Sequence, residues 1–458
     1  MSDLRFAVDA QADGEATDIV VSASDGSRHD YRIAGGEQDD YTAFYNQVAD
    51  DFGTRRPHAV EHVPAIQSDP RWKPLITDNL SEQILCGYGD PAIIKSDDGF
   101  VLIATSNDAP DAFPMLRSDN LLDWKLEGFA FPQGHNPGWT IAGVKVGDFW
   151  APEIARVGGE YWLTYTARAR DHSLSIGLAK GPGPTGPWED LGRPLITDGA
   201  IDAHLFVGPD GTPTLFWKED RNGRWPRPLA GLLRERPELI DAIFESDTDR
   251  RTAAFAAAVQ PWANGRRPIE RFFLMQPFIS AALANWAQVG RALHEAGEAE
   301  LLEAMRTPIF AQQLSADGAT LLGERVQVLE NDQPWEGHLI EGPWVTYQQG
   351  RYWLFYAGND FTNPAYGIGV AVADDLLGPY SKQPEPLLGS TAEWLAPGHA
   401  SVAAGLDGRP QLFFHAYHPG TGGYNTFRAL LTVGLDFTKN EVSLRPINLP
   451  EAGVTSAD

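Results

Sequence analysis

Short apolar runs bounded by turn residues recur along most of the 458-residue chain. The segment GEYWLTYTAR, which starts at Gly159, is followed by a run of small residues and a Gly-Pro-aromatic turn that ends at Trp188. The same order of elements runs from GRYWLFYAGND at Gly350 to Tyr380. Apolar runs between Gly, Pro, Asp and Asn predict β-strands joined by tight turns. The chain therefore contains at least two copies of one β unit.

Three weaker copies of the aromatic run extend this pattern. They are DGFVLIATSND from Asp98, DGTPTLFWKED from Asp210 and DGRPQLFFHAY from Asp407. Repeats of about 40 to 50 residues with several short strands each are typical of propeller blades. We expect an all-β fold, a five-bladed β-propeller over residues 81–445. An ordinary β-sandwich is the poorer alternative, because it gives no reason for the repeat.

Within the third copy the pattern changes from strand to helix. From 226 to 306, Ala- and Leu-rich segments such as FISAALANWAQVGRALHEAG have apolar residues at helical spacing. We expect an α-helical insertion in the third blade that acts as a lid, as a contact in a homo-oligomer, or as packing decoration. Residues 1–80 lie outside the repeat and predict an N-terminal extension with one hairpin and one short helix.

Each copy is preceded by a charged or polar residue in an apolar context. In chain order these residues are Asp90, Glu153, Asp202, Glu341 and His399. The innermost strands of a propeller line one axis, so these side chains are expected to converge. A charge beside apolar neighbours, such as Glu341 in IEGPWV, needs a partner or a function. Taken singly, Asp90 before a proline and Asp202 are also explained as turn residues.

Composition narrows the classes of partner. The chain has 62 Asp and Glu against 36 Lys and Arg, and its net charge is −26. So acidic a chain repels phosphate backbones and anionic lipids, which predicts no nucleic-acid partner and no membrane partner. The single cysteine, Cys86, forms no intramolecular disulfide. Because the sequence has no signal-peptide pattern and no long apolar stretch, we expect a cytoplasmic protein.

Aromatic residues are abundant, with 14 Trp, 13 Tyr and 22 Phe. Flat aromatic rings suit sugar-binding clefts, although a β-rich core explains most of them. This abundance is compatible with a carbohydrate substrate.

The ordered set of GDP at Asp90, IDAHLF at Asp202 and EGP at Glu341, on this repeat, resembles glycoside hydrolase family 43. This family comprises the five-bladed arabinanases, arabinofuranosidases and β-xylosidases. The resemblance covers about residues 85–440, with the helical insertion as a departure. It implies that Asp90 is the general base, Glu341 the general acid, and Asp202 the residue that orients the acid and keeps it protonated. Many members have proline after the second acid, where this chain has Ala203.

The resemblance also implies an inverting hydrolysis of arabinose- or xylose-containing oligosaccharides. A lid-like insertion would favour exo action. An inverting mechanism uses two carboxyl groups about 6.5–9.5 Å apart, with a water molecule between the base and the sugar.

Further candidates concern substrate and metal binding. Trp150 is a candidate sugar platform, and its neighbour Glu153 is either a substrate-binding or a structural carboxylate. Trp217 is a second aromatic candidate, with core packing as the alternative. Arg428 resembles an arginine that contacts sugar hydroxyls in some members, with a surface arginine as the alternative. His399 resembles a histidine that holds a hydrated cation such as Ca²⁺ on the axis of arabinanases, although a buried, hydrogen-bonded histidine without metal is the simpler interpretation. No cofactor is required.

Three alternative functions remain. A fructan hydrolase would carry Asn-Asp-Pro-Asn-like and Arg-Asp-Pro motifs, which the sequence lacks. A glycoside phosphorylase needs a basic phosphate pocket, and only the insertion is rich in arginine. A non-catalytic carbohydrate-binding propeller has no need of three convergent acids. Because the fold alone does not decide among them, the test is whether Asp90, Asp202 and Glu341 share one pit.

Overall fold

The computed structural model of the protein describes residues 5–13, 16–57, 67–141 and 147–450. The chain divides into two compact units. One comprises residues 1–61 and 221–306, and the other comprises residues 62–220 and 307–458. Part of the predicted N-terminal extension, residues 58–66, lies outside the described residues. In the described ranges no helix is both long and apolar enough to cross a membrane.

The first unit combines a small antiparallel sheet with a set of helices. Its strands, in the order β1-β2-β3, are β1 (Phe6–Asp13), β2 (Ala16–Ala23) and β3 (Arg28–Ile33). Its helices are α1 (Gln38–Phe52), α2 (Pro226–Glu235), α3 (Glu238–Ile243), α4 (Asp247–Ala263), α5 (Pro268–Ala284), α6 (Trp286–Ala296) and α7 (Ala299–Ala304). The sequence Asp25-Gly26 forms the turn between β2 and β3, where Gly26 has φ 91°. The N-terminal element is thus a three-stranded sheet, one strand more than the hairpin that the sequence predicts.

One hydrophobic core joins the N-terminal extension to the insertion. Helix α1 buries Tyr41, Phe44 and Tyr45 on one face. The ring of Phe44 lies 6.2 Å from that of Phe255 in α4, and the ring of Tyr41 lies 5.8 Å from that of Phe273 in α5. Amphipathic helices must bury their apolar face. For these helices the covering surface includes α1 and the N-terminal sheet, so a propeller rim or a second subunit is not needed to explain their aromatic residues.

The second unit is built from five antiparallel sheets. A first strand, β4 (Lys73–Ile76), precedes them. Blades one and two consist of β5 (Ala92–Ser96), β6 (Gly99–Ile103), β7 (Ala112–Ser118) and β8 (Lys125–Phe131), then β9 (Trp150–Val157), β10 (Glu160–Arg168), β11 (Leu174–Gly181) and β12 (Glu189–Asp190). Blade three consists of β13 (Ala200–Val207), β14 (Pro213–Glu219), β15 (Pro308–Leu314) and β16 (Leu321–Glu330). A 3₁₀ turn (Pro334–Glu336) leads into blade four, which consists of β17 (Ile340–Gln348), β18 (Arg351–Gly358), β19 (Gly367–Ala373) and β20 (Ser381–Lys382). Blade five consists of β21 (Leu395–Ala404), β22 (Pro410–Tyr417), β23 (Ala429–Phe437) and β24 (Val442–Arg445).

The first strands of the blades form a ring. Strand β5 packs on β9, β9 on β13, β13 on β17, β17 on β21, and β21 on β5. The predicted all-β, five-bladed propeller is therefore confirmed. The helices α2–α7 lie between β14 and β15, which places the insertion in the third blade as predicted.

Strands from both ends of the propeller complete the last blade. One edge of β23 pairs with β22, and the other edge is shared by β4 and β24. Thr432 of β23 is opposite Lys73 in β4, and Gly434 is opposite Arg445 in β24. This pairing joins residues 73–76 to residues 430–432 and gives the outer part of blade five hydrogen-bond partners from the start of the unit.

Candidate active site

Residues from all five blades converge where the first strands meet. Asp90 lies two residues before β5, and the other four predicted residues lie on the first strands of blades two to five: Glu153, Asp202, Glu341 and His399. The imidazole of His399 interacts electrostatically with the carboxyl groups of all four acids. The structure thus brings the three predicted catalytic acids, Asp90, Asp202 and Glu341, into one charged cluster.

The backbone is left-handed at three of these residues. The φ angles are 52° at Asp90, 57° at Asp202 and 45° at His399. Such angles are costly for residues with a Cβ and persist only where surrounding contacts enforce them. The backbone N–H of Asp90 donates to Nδ1 of His415 at 3.0 Å, and that of Asp202 donates to Oγ1 of Thr166 at 3.1 Å. Side chains of the preceding blade therefore hold each acid's backbone in place.

Asp90 lies against a buried arginine and two histidines. Its Oδ1 accepts a hydrogen bond from Arg428 at 3.0 Å, and its Oδ2 accepts one from Thr105 at 2.5 Å. Nδ1 of His399 lies 3.6 Å from Oδ1. Burial alone would raise the pKa of Asp90, but the charges of Arg428 and His399 and the hydrogen bond from Thr105 hold that pKa well below its usual range. Asp90 is therefore ionised at neutral pH.

Asp202 contacts the backbone beside the third acid. Its Oδ2 accepts a hydrogen bond from the N–H of Gly342 at 3.0 Å. Asp202 is buried, with 7% of its surface exposed. Burial, supported by the charges of Glu341 and Asp90, raises the pKa of Asp202 to about 6, while His399 and Lys218 oppose this rise. Through Gly342, Asp202 fixes the backbone that carries Glu341.

Glu341 is held at both carboxyl oxygens. Tyr366 donates its hydroxyl to Oε1 at 2.8 Å, and Lys218 lies 2.8 Å from Oε2. Lys218 is 0% exposed and Glu341 is 12% exposed at the side chain. The carboxyl group is thus fixed in orientation and retains limited access to solvent.

The surroundings of His399 do not fit a directly bound cation. Burial disfavours its charged form, but the carboxyl groups of Asp90, Asp202, Glu153 and Glu341 outweigh burial and raise its pKa. A protonated imidazole has no lone pair to offer a metal ion. Among the described residues, no group of three or more His, Cys, Asp or Glu side chains is arranged to hold a metal. The four surrounding carboxyl groups therefore favour the protonated form of His399.

Trp150 and Glu153 differ in their access to solvent. Trp150 is half-buried, and its Nε1 donates to the hydroxyl of Tyr424 at 3.2 Å. Its ring is therefore oriented and partly available. Glu153 is 5% exposed and lies 2.6 Å from Nδ1 of His204. Burial raises the pKa of Glu153 well above its usual range and lowers that of His204 to about 3. Its burial and its contact with His204 fit the structural alternative for Glu153.

Trp217 does not fit the predicted substrate-binding role. It is 2% exposed and packs against Phe310, with ring centroids 5.9 Å apart. A ring without an exposed face offers no platform to a sugar. Trp217 belongs to the core of blade three, which was the alternative for this residue.

Sequence reasoning did not identify the residues that contact the acids from the second strands. These are Thr166, Lys218 and His415, each placed seven residues after a turn glycine: Gly159, Gly211 and Gly408. The sequence does carry a signal for them: an alignment of these three repeats shows a polar residue at this position within an otherwise apolar strand.

Arg428 is a residue that the sequence does predict. It donates a hydrogen bond to Asp90 and is 6% exposed. This position excludes the alternative of a surface arginine.

A family model supports the resemblance given by the three acids. The model described as "Glycosyl hydrolases family 43" matches residues 84–236 and 303–442. The chain belongs to glycosyl hydrolase family 43. The two matched stretches leave out most of the helical insertion, which agrees with its interpretation as an addition to a family 43 propeller.

Curated relatives match parts of this family 43 chain. It is 32% identical over 68 residues to xylosidase/arabinosidase 43A from Humicola insolens, which is 15% of this chain and 21% of that protein. It is 28% identical over 140 residues to extracellular endo-alpha-(1->5)-L-arabinanase 1 from Bacillus subtilis (strain 168), which is 28% of this chain and 43% of that protein. The chain thus matches less than half the length of either relative.

Solved structures match most of the family 43 chain. A thermostable family-43 glycoside hydrolase is 26% identical with a TM-score of 0.57, and the match covers 80% of this chain and 95% of that one. An endo-arabinase from Bacteroides thetaiotaomicron VPI-5482 is 18% identical with a TM-score of 0.51, covering 82% and 99%. The second match supports the fold alone.

Proposed function

We propose that the protein is an inverting glycoside hydrolase that acts on arabinose- or xylose-containing oligosaccharides. The observation that carries this proposal is the cluster formed by Asp90, Asp202 and Glu341 on separate blades. Glycoside hydrolysis needs one carboxylate and one carboxylic acid on opposite sides of the scissile bond. A site can hold both forms when the surroundings of two neighbouring carboxyl groups shift their pKa values apart, so that one group is ionised while the other is protonated.

Asp90 is the proposed general base. Its contact with Arg428 at 3.0 Å keeps it ionised, and the hydrogen bond from Thr105 fixes its second oxygen. In the proposed reaction Asp90 takes a proton from a water molecule as that water attacks the anomeric carbon. The glycosidic bond breaks on the other face of the sugar, so the product has inverted configuration.

Glu341 is the proposed general acid. It donates a proton to the leaving oxygen, and general acid catalysis of this kind contributes about 10²–10⁴ in rate. Asp202 supports it in two ways. The hydrogen bond to Gly342 fixes the backbone beside the acid, and the Asp202 charge disfavours a second negative charge on Glu341.

The sugar and the mode of cleavage are finer assignments. The matched relatives are named for xylose and arabinose substrates, which is the basis for proposing these two sugars. We propose exo action because the insertion leaves blade three directly after Asp220, two residues beyond Lys218. Lys218 contacts the proposed acid, so the insertion branches from the chain two residues after a residue of the site.

The alternative functions receive less support. A phosphorylase needs cations that can receive phosphate, whereas Arg428 and Lys218 each contact a carboxylate of the cluster. A non-catalytic binding propeller gives no reason to place Asp90, Asp202 and Glu341 together at the cost of burying them.

A proton NMR time course of hydrolysis tests the proposal. Linear arabino- and xylo-oligosaccharides are incubated with enough enzyme to outrun mutarotation, and the first anomer formed is recorded. We expect inverted configuration and monosaccharide from the earliest time points. Retained configuration would contradict the assignment of Asp90 as a base. Intermediate oligosaccharides at early times would exclude exo action, and no hydrolysis of either substrate would reject the proposed function.

A further inference from the structure

Lys218 is a buried cation that the three-acid description of the site does not use. It lies near the end of β14 with 0% exposure, and its Nζ is 2.8 Å from Oε2 of Glu341 on β17. Burying an ammonium group is costly unless a partner compensates for the lost hydration. Glu341 provides the direct contact, so blade three contributes a charge to the proposed acid of blade four.

We propose that Lys218 is a positioning residue that orients Glu341 in the resting enzyme and sets the pH above which the site loses its catalytic proton. This inference rests on the proposed function, in which Glu341 is the general acid.

The geometry of the carboxyl group supports this role. Tyr366 donates to Oε1 and Lys218 donates to Oε2, so both oxygens accept hydrogen bonds in the resting structure. A proton placed on Oε2 would face the N–H groups of Lys218 rather than an acceptor. Ionised Glu341 therefore suits this contact, and protonated Glu341 requires Lys218 to move away or lose the hydrogen bond.

Other charges also act on this pair, and they limit the effect of Lys218. Around the Lys218–Glu341 contact, the ionisable groups that interact with one or both partners are Asp202, Asp220, His338, Tyr366 and His399. Burial lowers the pKa of His338 to about 3, so it is neutral. Asp202 opposes the negative charge on Glu341, whereas Lys218 and His399 favour it. Lys218 is the cation in direct contact with the carboxylate.

The pH dependence of Lys218→Met tests the proposal. Methionine removes the charge but keeps most of the side-chain volume. Without the ammonium, Glu341 should retain its proton to higher pH, so the basic limb of kcat/KM should move upward by about 1–3 pH units. The Lys218→Arg control keeps the charge and should leave that limb within about half a unit of wild type. If Lys218→Met does not fold, Lys218→Gln replaces it as the neutral variant, with the same expected shift.

Two further readouts separate positioning from loss of structure. The shift should be clear on a glycoside with a poor leaving group and small on an activated dinitrophenyl glycoside, which needs little protonation. In the substrate-free protein, the ¹³C signal of the Glu341 carboxyl carbon, assigned by its absence in Glu341→Gln, should titrate at higher pH in the neutral variant. A lower rate with an unmoved basic limb and an unmoved ¹³C titration would overturn the proposal. The ¹³C titration needs no substrate, so it tests the role of Lys218 even if the wild-type protein hydrolyses neither substrate. That absence of hydrolysis would reject the proposed function alone.

Discussion

Asp90 shows how a few contacts set the charge of one residue. Arg428, His399 and His415 surround its Oδ1 at 3.0, 3.6 and 3.5 Å. The backbone N–H of Asp90 donates to Nδ1 of His415, so that nitrogen carries a lone pair and His415 is neutral there. Burial lowers the pKa of His415 well below its usual range, which agrees with a neutral imidazole. Arg428 is therefore the permanent cation that keeps Asp90 ionised.

Replacement of Arg428 by methionine should move the acidic limb of kcat/KM to higher pH. The folded-state pKa of Asp90 is depressed, so its ionised form persists as pH falls until that pKa is reached. Without Arg428, the effect of burial would be less opposed, and Asp90 would take up a proton at a pH about 1–3 units higher than in the wild type. Activity at the acidic end of the profile should then fall relative to activity near pH 7. Arg428→Lys, which keeps a charge, should show a smaller shift, and an unchanged acidic limb in Arg428→Met would contradict the assigned base.

The directions in which Trp217 and Lys218 point could not be predicted from the sequence. Successive residues of a strand point to opposite faces, so Trp217 packs toward blade two and Lys218 points toward blade four. The sequence pattern showed that β14 is a strand but gave no register against β17. The sequence therefore left Trp217 either as a sugar-binding ring or as a core residue and gave Lys218 no role, whereas the structure buries the ring between blades two and three and places the ammonium against Glu341.

At the scale of elements, the first unit shows that separate segments can share one core. Helix α1 and helices α4 and α5 are about 200 residues apart in the chain, yet Tyr41 of α1 donates to Glu270 of α5 at 2.8 Å. Amphipathic periodicity predicted the helices of the insertion because that signal is local. Their partners could not be predicted from one sequence, since apolar faces are not specific about what covers them.

Phe44→Ala should destabilise this first unit. Phe44 is 1% exposed, and its ring lies 5.0 Å from that of Tyr45 and 5.6 Å from that of Tyr31. Removing a buried phenylalanine ring costs about 3–5 kcal/mol of unfolding free energy. Urea unfolding measured by circular dichroism should show an earlier transition for the helical signal. Leu322→Ala, at a side chain that is 42% exposed, is the control and should cost less than about 1 kcal/mol. Equal stability of the two variants would contradict the shared core.

At the scale of the whole propeller, the repeat determines where chemistry is placed. The five first strands pack in a ring, so one polar residue at the start of each blade is enough to build a charged centre. This is why Asp90, Glu153, Asp202, Glu341 and His399 could be predicted from the sequence. The pairing of β4 with β23 had no counterpart in the sequence argument, because a short strand outside the repeat has no periodic signal.

The central claim is that carboxyl groups from separate blades form one hydrolytic site with Glu341 as its acid. The most direct test is the rate of Glu341→Gln on a glycoside with a poor leaving group. We expect a loss of about 10²–10⁴ in kcat with unchanged unfolding, and partial retention of rate on activated nitrophenyl glycosides. Asp190→Asn, which removes a carboxylate on β12 that contacts Tyr165, is the matched control and should stay near wild type. Near-wild-type turnover of Glu341→Gln on the poor leaving group would contradict the account.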